Sequence, residues 1–174
     1  MKVFLLCCLL LLGACAPAAR HTPAEPLSLR TDSALVTVFH RGDGYFANIG
    51  FTFVNNSGDV ISQAGCGAPG SPLVEKKVNG NWVAAYYPIY LLCLTKPDFT
   101  WEPGTRTAGT VTFIAFEPGH KKEPTLRIDT IDGTYRLHWG FTKGRDAGAK
   151  GAKRYDVVSN EFQLVLSTSA RAGV

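Results

Sequence analysis

The sequence lacks the features of a membrane-spanning protein, of a nucleic-acid-binding protein and of the common enzyme classes. After residue 15, no apolar run approaches the roughly 20 residues that a spanning helix needs. The formal net charge of +4 is too small to indicate nucleic-acid binding. No Gly-x-Ser-x-Gly, His-Glu-x-x-His or phosphate-binding loop is present, so the sequence indicates neither an enzyme nor a cofactor.

Methionine is also scarce, and the composition is that of a chain with many turns. The one methionine is Met1, whereas glycine occurs 18 times and proline 10 times. This balance predicts many turns and few long helices. Hydrophobic residues make up 45% and aromatic residues 11% of the chain, which is enough for one domain with a sizeable core.

The N-terminal segment has the composition of a secretory signal peptide. Lys2 provides a positive start, and residues 3–12 form an apolar run without charge. The run ends in residues 12–15, Leu-Gly-Ala-Cys, which resemble the lipobox of bacterial lipoproteins at all four positions.

This resemblance implies a lipid anchor at Cys15. In that family the cysteine sulfur receives a diacylglycerol and the peptide before it, here residues 1–14, is removed. Each buried methylene of an acyl chain contributes about 0.8 kcal/mol to membrane binding. Ala16 after the cysteine implies sorting to the outer membrane if the host is Gram-negative. The alternative is ordinary cleavage at Ala14 or near residues 18–19, without a lipid.

Composition also predicts the domain boundaries. Residues 15–33 contain three prolines and no periodicity, which predicts a lipidated, flexible tether. The folded domain then covers residues 34–168, and residues 169–174 form a loose tail.

Two of the five cysteines are expected to form a disulfide. Cys66 and Cys93 remain once the signal peptide is removed and Cys15 is lipidated. Exported proteins usually join such a pair of thiols, so we expect a bond between them. A metal site is the alternative, but no histidine stands at ligand spacing from either cysteine.

Alternating apolar residues predict β-strands throughout the domain. Asn79 and Gly80, between two β-like runs, predict a type I′ hairpin that sets Lys77 opposite Trp82, with either face of the hairpin buried. Residues 126–131 are a further strand candidate. Two long strands have their apolar faces at Tyr45, Ala47, Ile49, Phe51 and Phe53, and at Tyr135, Leu137, Trp139 and Phe141.

About eight short strands separated by turns indicate an all-β fold, an antiparallel β-sandwich. Residues 132–137, Asp-Gly-Thr-Tyr-Arg-Leu, are similar to the tyrosine corner of immunoglobulin-like domains, where a tyrosine near the start of strand F bonds the upstream backbone. The resemblance implies an immunoglobulin-like sandwich of about 7–9 strands. Leu137 stands where antibody domains have a cysteine, so the likeness is to the fold in general. The layout also resembles uncharacterised bacterial envelope proteins with an immunoglobulin-like domain.

A glycine-rich basic loop at residues 143–154 is the main candidate binding site. In the predicted fold it joins strands F and G at one end of the sandwich, where variable immunoglobulin domains place binding loops. It can meet lipopolysaccharide phosphates, another anionic polymer or an acidic patch of a protein. The alternative is a solvated hairpin loop without a partner. Its cations are Lys143, Arg145, Lys150, Lys153 and Arg154, against Asp146 alone.

Histidines, carboxylates and aromatic residues are weaker candidates. His40 and His138 can bind a metal only if they face each other, and two histidines without a third ligand make a poor site. Asp129 and Asp132 bracket a turn, and turn formation explains them better than acid–base chemistry or Ca²⁺ binding. An aromatic cluster is either a partner surface or core filling; its members are Trp82, Tyr86, Tyr87 and Tyr90.

Together these features predict a lipid-anchored cell-envelope protein that acts as a non-catalytic binding or assembly module. Its expected partners are the membrane, through Cys15, and an envelope protein or anionic polymer, but not nucleic acid. The runner-up is an exported protease inhibitor of small β-sandwich type that offers residues 143–154 to the protease. A third alternative is an envelope hydrolase or metal-binding protein.

Overall fold

A computed structural model of the chain describes residues 25–65, 68–87 and 98–167. Within these ranges the chain forms eleven strands and no helix, so none of the described residues lies in a helix able to cross a bilayer. The strands are β1 (Leu27–Thr31), β2 (Leu35–Arg41), β3 (Gly44–Asn55), β4 (Ile61–Ala64), β5 (Leu73–Val78), β6 (Asn81–Ala84), β7 (Asp98–Trp101), β8 (Arg106–Phe116), β9 (Gly133–Lys143), β10 (Arg154–Val158) and β11 (Phe162–Leu166).

Strand β3 is the centre of the first sheet. On one edge its residues 44–54 pair antiparallel with β8. On the other edge, β1 pairs with residues 51–55 and the end of β2 with residues 44–46. The predicted apolar face of β3 points into the protein, with Tyr45 half-buried. The fully covered members of this face are Ala47, Ile49, Phe51 and Phe53.

Strand β9 is the centre of the second sheet. Strands β10 and β11 lie along one of its edges, and β4 and β5 along the other. Strand β7 extends the sheet beyond β4, and β6 extends it beyond β5. The alternation predicted for β9 is confirmed, because its inward residues are buried: Tyr135, Leu137, Trp139 and Phe141.

The two sheets stack face to face through aromatic rings. The ring centroid of Phe53 on β3 lies 4.9 Å from that of Phe141 and 5.4 Å from that of Trp139, both on β9. Trp101 of β7 packs edge-on against the same two β9 rings, at 5.7 Å and 5.2 Å. Such ring pairs contribute about 0.5–1.5 kcal/mol each beyond the burial of their area. The fold is therefore the expected all-β, immunoglobulin-like sandwich.

Strand β2 belongs to both sheets. Its residues 35–38 pair with β11, and its residues 39–41 pair with β3. The β2–β11 pairing is parallel, so the expectation of an entirely antiparallel sandwich is wrong at this pair. The strand count also exceeds the predicted 7–9, partly because β1 lies in the predicted tether and β10 begins at the last residue of the predicted loop, where the pattern predicts no strand.

The folded domain begins earlier than the sequence predicts. The pattern predicts a tether as far as residue 33, but β1 pairs with β3 along Leu27–Thr31. Leu27 and Leu29 are both buried in the core. The alternation here covers only a few residues next to a proline, which hides the strand from pattern analysis.

The predicted strand at residues 126–131 is also wrong. Only isolated bridges form in this region, between Leu126 and Tyr86 and between Thr125 and Phe116. These bridges connect the end of β8 in the first sheet with the residues that follow β6 in the second. The segment therefore closes an edge of the sandwich instead of extending a sheet.

The Asn-Gly hairpin is confirmed. Asn79 and Gly80 have φ angles of 50° and 82°, as a type I′ turn requires. Lys77 lies opposite Trp82, as the turn predicts. The structure also shows which face of the hairpin is covered; its buried residues are Val74, Lys76 and Ala85.

The tyrosine corner is confirmed as well. The Tyr135 hydroxyl donates to the Ile131 carbonyl at 2.5 Å, and its side chain is fully buried. Burial, and to a lesser degree the charge of Asp132, raises the pKa of the Tyr135 phenol above its ordinary value. The corner thus holds the start of β9 against the segment before it.

A buried lysine lies next to this corner. Lys76 is 6% exposed, and its ammonium donates to the Thr130 carbonyl at 2.5 Å and to the Thr130 hydroxyl at 2.7 Å. Burial lowers the pKa of Lys76, while the carboxylates of Asp132 and Asp129 act in the opposite direction. The two Thr130 oxygens therefore replace part of the water that the ammonium loses.

The early start of the domain can be tested by shortening a β1 side chain. Leu29→Ala should lower the free energy of unfolding by about 2–5 kcal/mol, because Leu29 is buried in the core. Leu35→Ala is the matched control, since that side chain is 59% exposed and should change stability little. Urea denaturation of both variants measures the difference. Equal midpoints for Leu29→Ala and the unmodified chain would contradict the assignment of β1.

The tyrosine corner predicts a change in alkaline stability. Because the pKa of Tyr135 is raised by folding, its contribution is complete below about pH 10 and is lost as the pH rises toward the folded-state pKa. Tyr135→Phe should therefore make the unfolding free energy fall less steeply above about pH 10. At pH 7 it should cost about 1–3 kcal/mol, because the Ile131 carbonyl loses its donor. Urea denaturation at a series of pH values tests this, with the exposed Tyr87→Phe as control; identical slopes for all three proteins would refute it.

Candidate functional site

The basic loop lies between β9 and β10, as the predicted fold requires. Both ends of the loop belong to strands, because Lys143 is the last residue of β9 and Arg154 is the first residue of β10. The Lys143 amide donates to the Lys153 carbonyl at 2.8 Å, and the Gly144 amide donates to the Val60 carbonyl at 2.8 Å. The loop is thus held at the end of the sandwich where β3 ends and β4 begins.

Hydrogen bonds also order the interior of the loop. The Asp146 carboxylate accepts from the Gly148 amide at 2.8 Å. The Ala147 amide donates to the Asp98 carboxylate at 3.3 Å, and its carbonyl accepts from the Thr142 hydroxyl at 3.3 Å. The loop is therefore a folded element that rests on β7 and β9.

Carboxylates from distant parts of the chain offset the charge of this loop. Lys143 Nζ lies 2.8 Å from Asp59 Oδ1, and Arg145 Nη2 lies 2.6 Å from Glu102 Oε1. Both pairs lie at the surface, so each contributes little to stability. Together with the two aspartates that bond the loop backbone, they set four carboxylates against five cations. The loop carries much less free positive charge than its own composition indicates.

The remaining cations of the loop have no carboxylate partner among the described residues; they are Lys150, Lys153 and Arg154. Lys153 Nζ lies 4.9 Å from the ring centroid of Tyr155. Arg154 lines a polar cavity of about 290 Å³ together with the buried Ser62, whose hydroxyl has no hydrogen-bond partner in the described part of the chain. Binding of an anionic partner therefore depends on few groups and stays a prediction, as does inhibition of a protease by this loop.

Asp59 is the centre of the base of the loop. Its carboxylate accepts from the Tyr155 hydroxyl at 2.8 Å and pairs with Lys143 on its other oxygen. The bond from Lys143, followed by that from Tyr155, lowers the pKa of the Asp59 carboxyl below its ordinary value.

The Asp59 pair predicts a residue-specific titration. Lys143→Gln should raise the pKa of Asp59 toward its ordinary value, because the strongest of its bonds loses its charge. The carboxyl chemical shift of Asp59 followed by NMR against pH measures this. Lys150→Gln removes the same charge from the loop without a contact to Asp59 and should leave the pKa unchanged. An equal rise in both variants would show that Asp59 senses only the overall charge of the loop, against the assigned bond.

An ordered polar network lies on the outer face of the second sheet, and the sequence does not reveal it. Glu75 of β5 accepts from Arg136 Nε at 2.7 Å and lies 3.2 Å from His138 Nδ1. His138 Nε2 lies 3.3 Å from Asp156 on β10. The Arg136 guanidinium lies 4.4 Å from the ring centroid of Trp82. Cross-strand register brings these side chains together, so no local motif could have indicated them. A paired arginine and tryptophan on a sheet face is typical of protein contact surfaces.

The two strand histidines lie in different sheets. His138 belongs to the network above, whereas His40 lies in the first sheet, where its ring centroid is 4.6 Å from that of Tyr45. Within the described ranges, no three histidine, cysteine or acidic residues are grouped to hold a metal.

Asp132 of the predicted turn accepts from the Leu166 amide at 2.6 Å, which is a structural role.

The predicted aromatic cluster divides between core and surface. Tyr86 packs edge-on against Phe113 of β8, with ring centroids 5.8 Å apart. Tyr87 is 56% exposed, and the Arg127 guanidinium lies 4.8 Å from its ring centroid. Core filling therefore explains Tyr86, whereas Tyr87 remains available at the surface.

Several predicted residues lie outside the described part of the chain. These are the lipidation site Cys15, the disulfide pair Cys66 and Cys93, and Tyr90 of the aromatic cluster. The lipid anchor and the disulfide therefore stay predictions. The tail at residues 169–174 lies outside the described part as well.

Comparison with known proteins gives one structural likeness. No protein-family model matches the chain, and no curated protein matches it. Among solved structures, the chain is similar to an ASH/PapD-like domain of human CEP192, PapD-like domain 7, at 14% identity and a TM-score of 0.33. The alignment covers 96% of this chain and 98% of that one. A likeness of this size carries no information about function.

Proposed function

We propose that the chain is a lipid-anchored protein of the bacterial cell envelope, whose immunoglobulin-like sandwich acts as a non-catalytic binding or assembly module. The observation that carries the proposal is the Leu-Gly-Ala-Cys motif at residues 12–15, directly after a short apolar run. In this proposal Cys15 bears the lipid, and the outer membrane is the location if the host is Gram-negative.

The position of β1 supports a closely held domain. Strand β1 begins at Leu27, so only eleven residues separate it from Cys15. A chain of this length spans at most about 40 Å when fully extended. The tether is therefore shorter than the one that the sequence predicts, and the sandwich stays near the bilayer.

The topology also gives the domain an orientation. Leu27 pairs with Asn55 at the end of β3, and the basic loop bonds Val60 just beyond it. The tether and the basic loop thus share one end of the sandwich. The β2–β3 turn lies at the other end of β3, a strand of 12 residues, which is about 40 Å away. In the proposed setting, the β2–β3 end points away from the membrane, where a partner can reach it.

The lipid anchor is tested by Cys15→Ser in cells. The variant should leave the membrane fraction and take up no radiolabelled fatty acid, because the acceptor sulfur is absent. Cys8→Ser removes another cysteine from the same N-terminal segment and should change neither result. A Cys15→Ser protein that remains in the membrane fraction with its label would refute the anchor.

A further inference from the structure

A gap separates β2 from β3 along part of their length. The two strands pair only where residues 39–41 of β2 meet residues 44–46 of β3. The earlier part of β2, residues 35–38, pairs with β11 instead. Strand β1 joins the same edge of β3 only at residues 51–55. Between these two pairings, residues 47–50 of β3 have β8 on one edge and, on the other, a single bond from the Asp32 amide to the Gly50 carbonyl, 3.0 Å long.

Unpaired backbone groups face this gap from both sides. Odd-numbered residues of β3 bond toward β8, as the bond from the Glu117 amide to the Asp43 carbonyl shows, so the amide and carbonyl of Asn48 face the gap. The carbonyls of Ala34, just before β2, and of Val38 accept from the amides of Gln163 and Ser167 on the β11 side. Even-numbered residues here therefore bond toward β11, and the backbone groups of Thr37 face the gap from the other side. Open strand edges of this kind are templates for an added strand.

The walls of the gap are apolar and open to solvent. A cavity of about 630 Å³ lies here. Leu35 is 59% exposed and Phe39 is 45% exposed, and Phe46 lies beside them on β3. Val165 of the neighbouring strand β11 adds a further exposed apolar side chain. Clustered apolar exposure on a small domain marks a contact surface.

The cavity and the far end of the gap differ in charge, because the Asp32 carboxylate lies beside Gly50 at that far end. Arg41 is the one charged residue among those that line the cavity, and its guanidinium lies 6.0 Å from the ring centroid of Phe39. Among the described residues, no carboxylate pairs with Arg41. An acidic group on a bound segment would therefore meet an unpaired cation.

We propose that the β2–β3 gap binds an extended, apolar peptide segment of a partner protein, which adds a short strand between Thr37 and Asn48 and places a carboxylate at Arg41. Apolar side chains of the segment pack on Leu35 and Phe39. The inference rests on the proposed function, since it names the partner class of that binding module. The gap lies along the middle of β3, and Arg41 lies toward the end of the sandwich opposite the tether.

The test is selection of peptides from a random heptapeptide phage library on the full acylated chain in detergent micelles. Selected peptides should alternate apolar residues and carry Asp or Glu, and their binding should shift the NMR signals of the Thr37 and Asn48 amides. Asn48→Pro removes the backbone donor that faces the gap but none of the donors that bond β8, and it should weaken binding about tenfold or more, whereas Asn48→Ala, which also lacks the Asn side chain, should not. Selected peptides that bind the Asn48→Pro chain equally well, or that shift other residues, would overturn the proposal.

A charge reversal covers the case in which the proline variant does not fold. Arg41→Glu should change the selected peptides from acidic to basic, and Arg30→Glu, an exposed arginine on β1, should leave them acidic. Unchanged preferences for Arg41→Glu, or no enrichment at all, would refute the site.

A chain that self-associates and becomes monomeric on Arg41→Glu would assign the gap to a second copy and overturn the proposed partner. Repeating the selection on Cys15→Ser separates the two proposals, because peptide binding at the gap does not need the lipid. A Cys15→Ser protein that stays in the membrane fraction and still binds the peptides contradicts the anchor alone, whereas a released protein on which no peptide is enriched contradicts the gap alone.

Discussion

The sharing of β2 between two sheets is the constraint on which the rest of the structure depends. Its first half pairs in parallel with β11 and its second half pairs with β3, so this strand closes one edge of the sandwich. Because β2 pairs with only the first three residues of β3, β1 can pair with residues 51–55 on the same edge. The same departure leaves a gap along residues 47–50, which is where open backbone groups and exposed apolar side chains coincide.

The aromatic core holds the two sheets in the position that this strand requires. Phe53 of the first sheet packs across the sandwich against three rings of the second sheet, those of Trp101, Trp139 and Phe141. The corner at Tyr135 then holds the start of β9 to the segment before it, with the buried Lys76 beside the ring. Both ends of β9 are thus fixed, one by the corner and the other by the base of the basic loop.

The fold class could be predicted because its main signals are local. Alternation is complete in β3 and β9, and the Asn79 turn and the Tyr135 corner depend on residues next to each other in sequence. Strand β1 could not be predicted, because its pattern is short and begins beside a proline. The crossing of β2 could not be predicted either, since both of its faces carry apolar residues and its partners are far away in sequence.

For the candidate site, the sequence predicts the position of the basic loop in the fold but not its net charge or its contacts. The sequence places the basic loop between two strands of the sandwich, and that placement is right. Its charge cannot be read from the segment, because Asp59 and Glu102 approach it only in the folded chain. The network around Glu75 and His138, and the gap beside Asn48, also arise from register between strands and leave no local motif.

The most direct test of the divided β2 strand is amide hydrogen exchange measured by NMR on the unmodified folded chain. The Asn48 amide should exchange rapidly, whereas the amides of Ala47 and Ile49, which bond β8, should be protected. This contrast between adjacent residues of one strand would show that β3 is open on the β2 edge. Equal, strong protection at all three amides would contradict an open edge of β3, because a backbone partner would then close the gap.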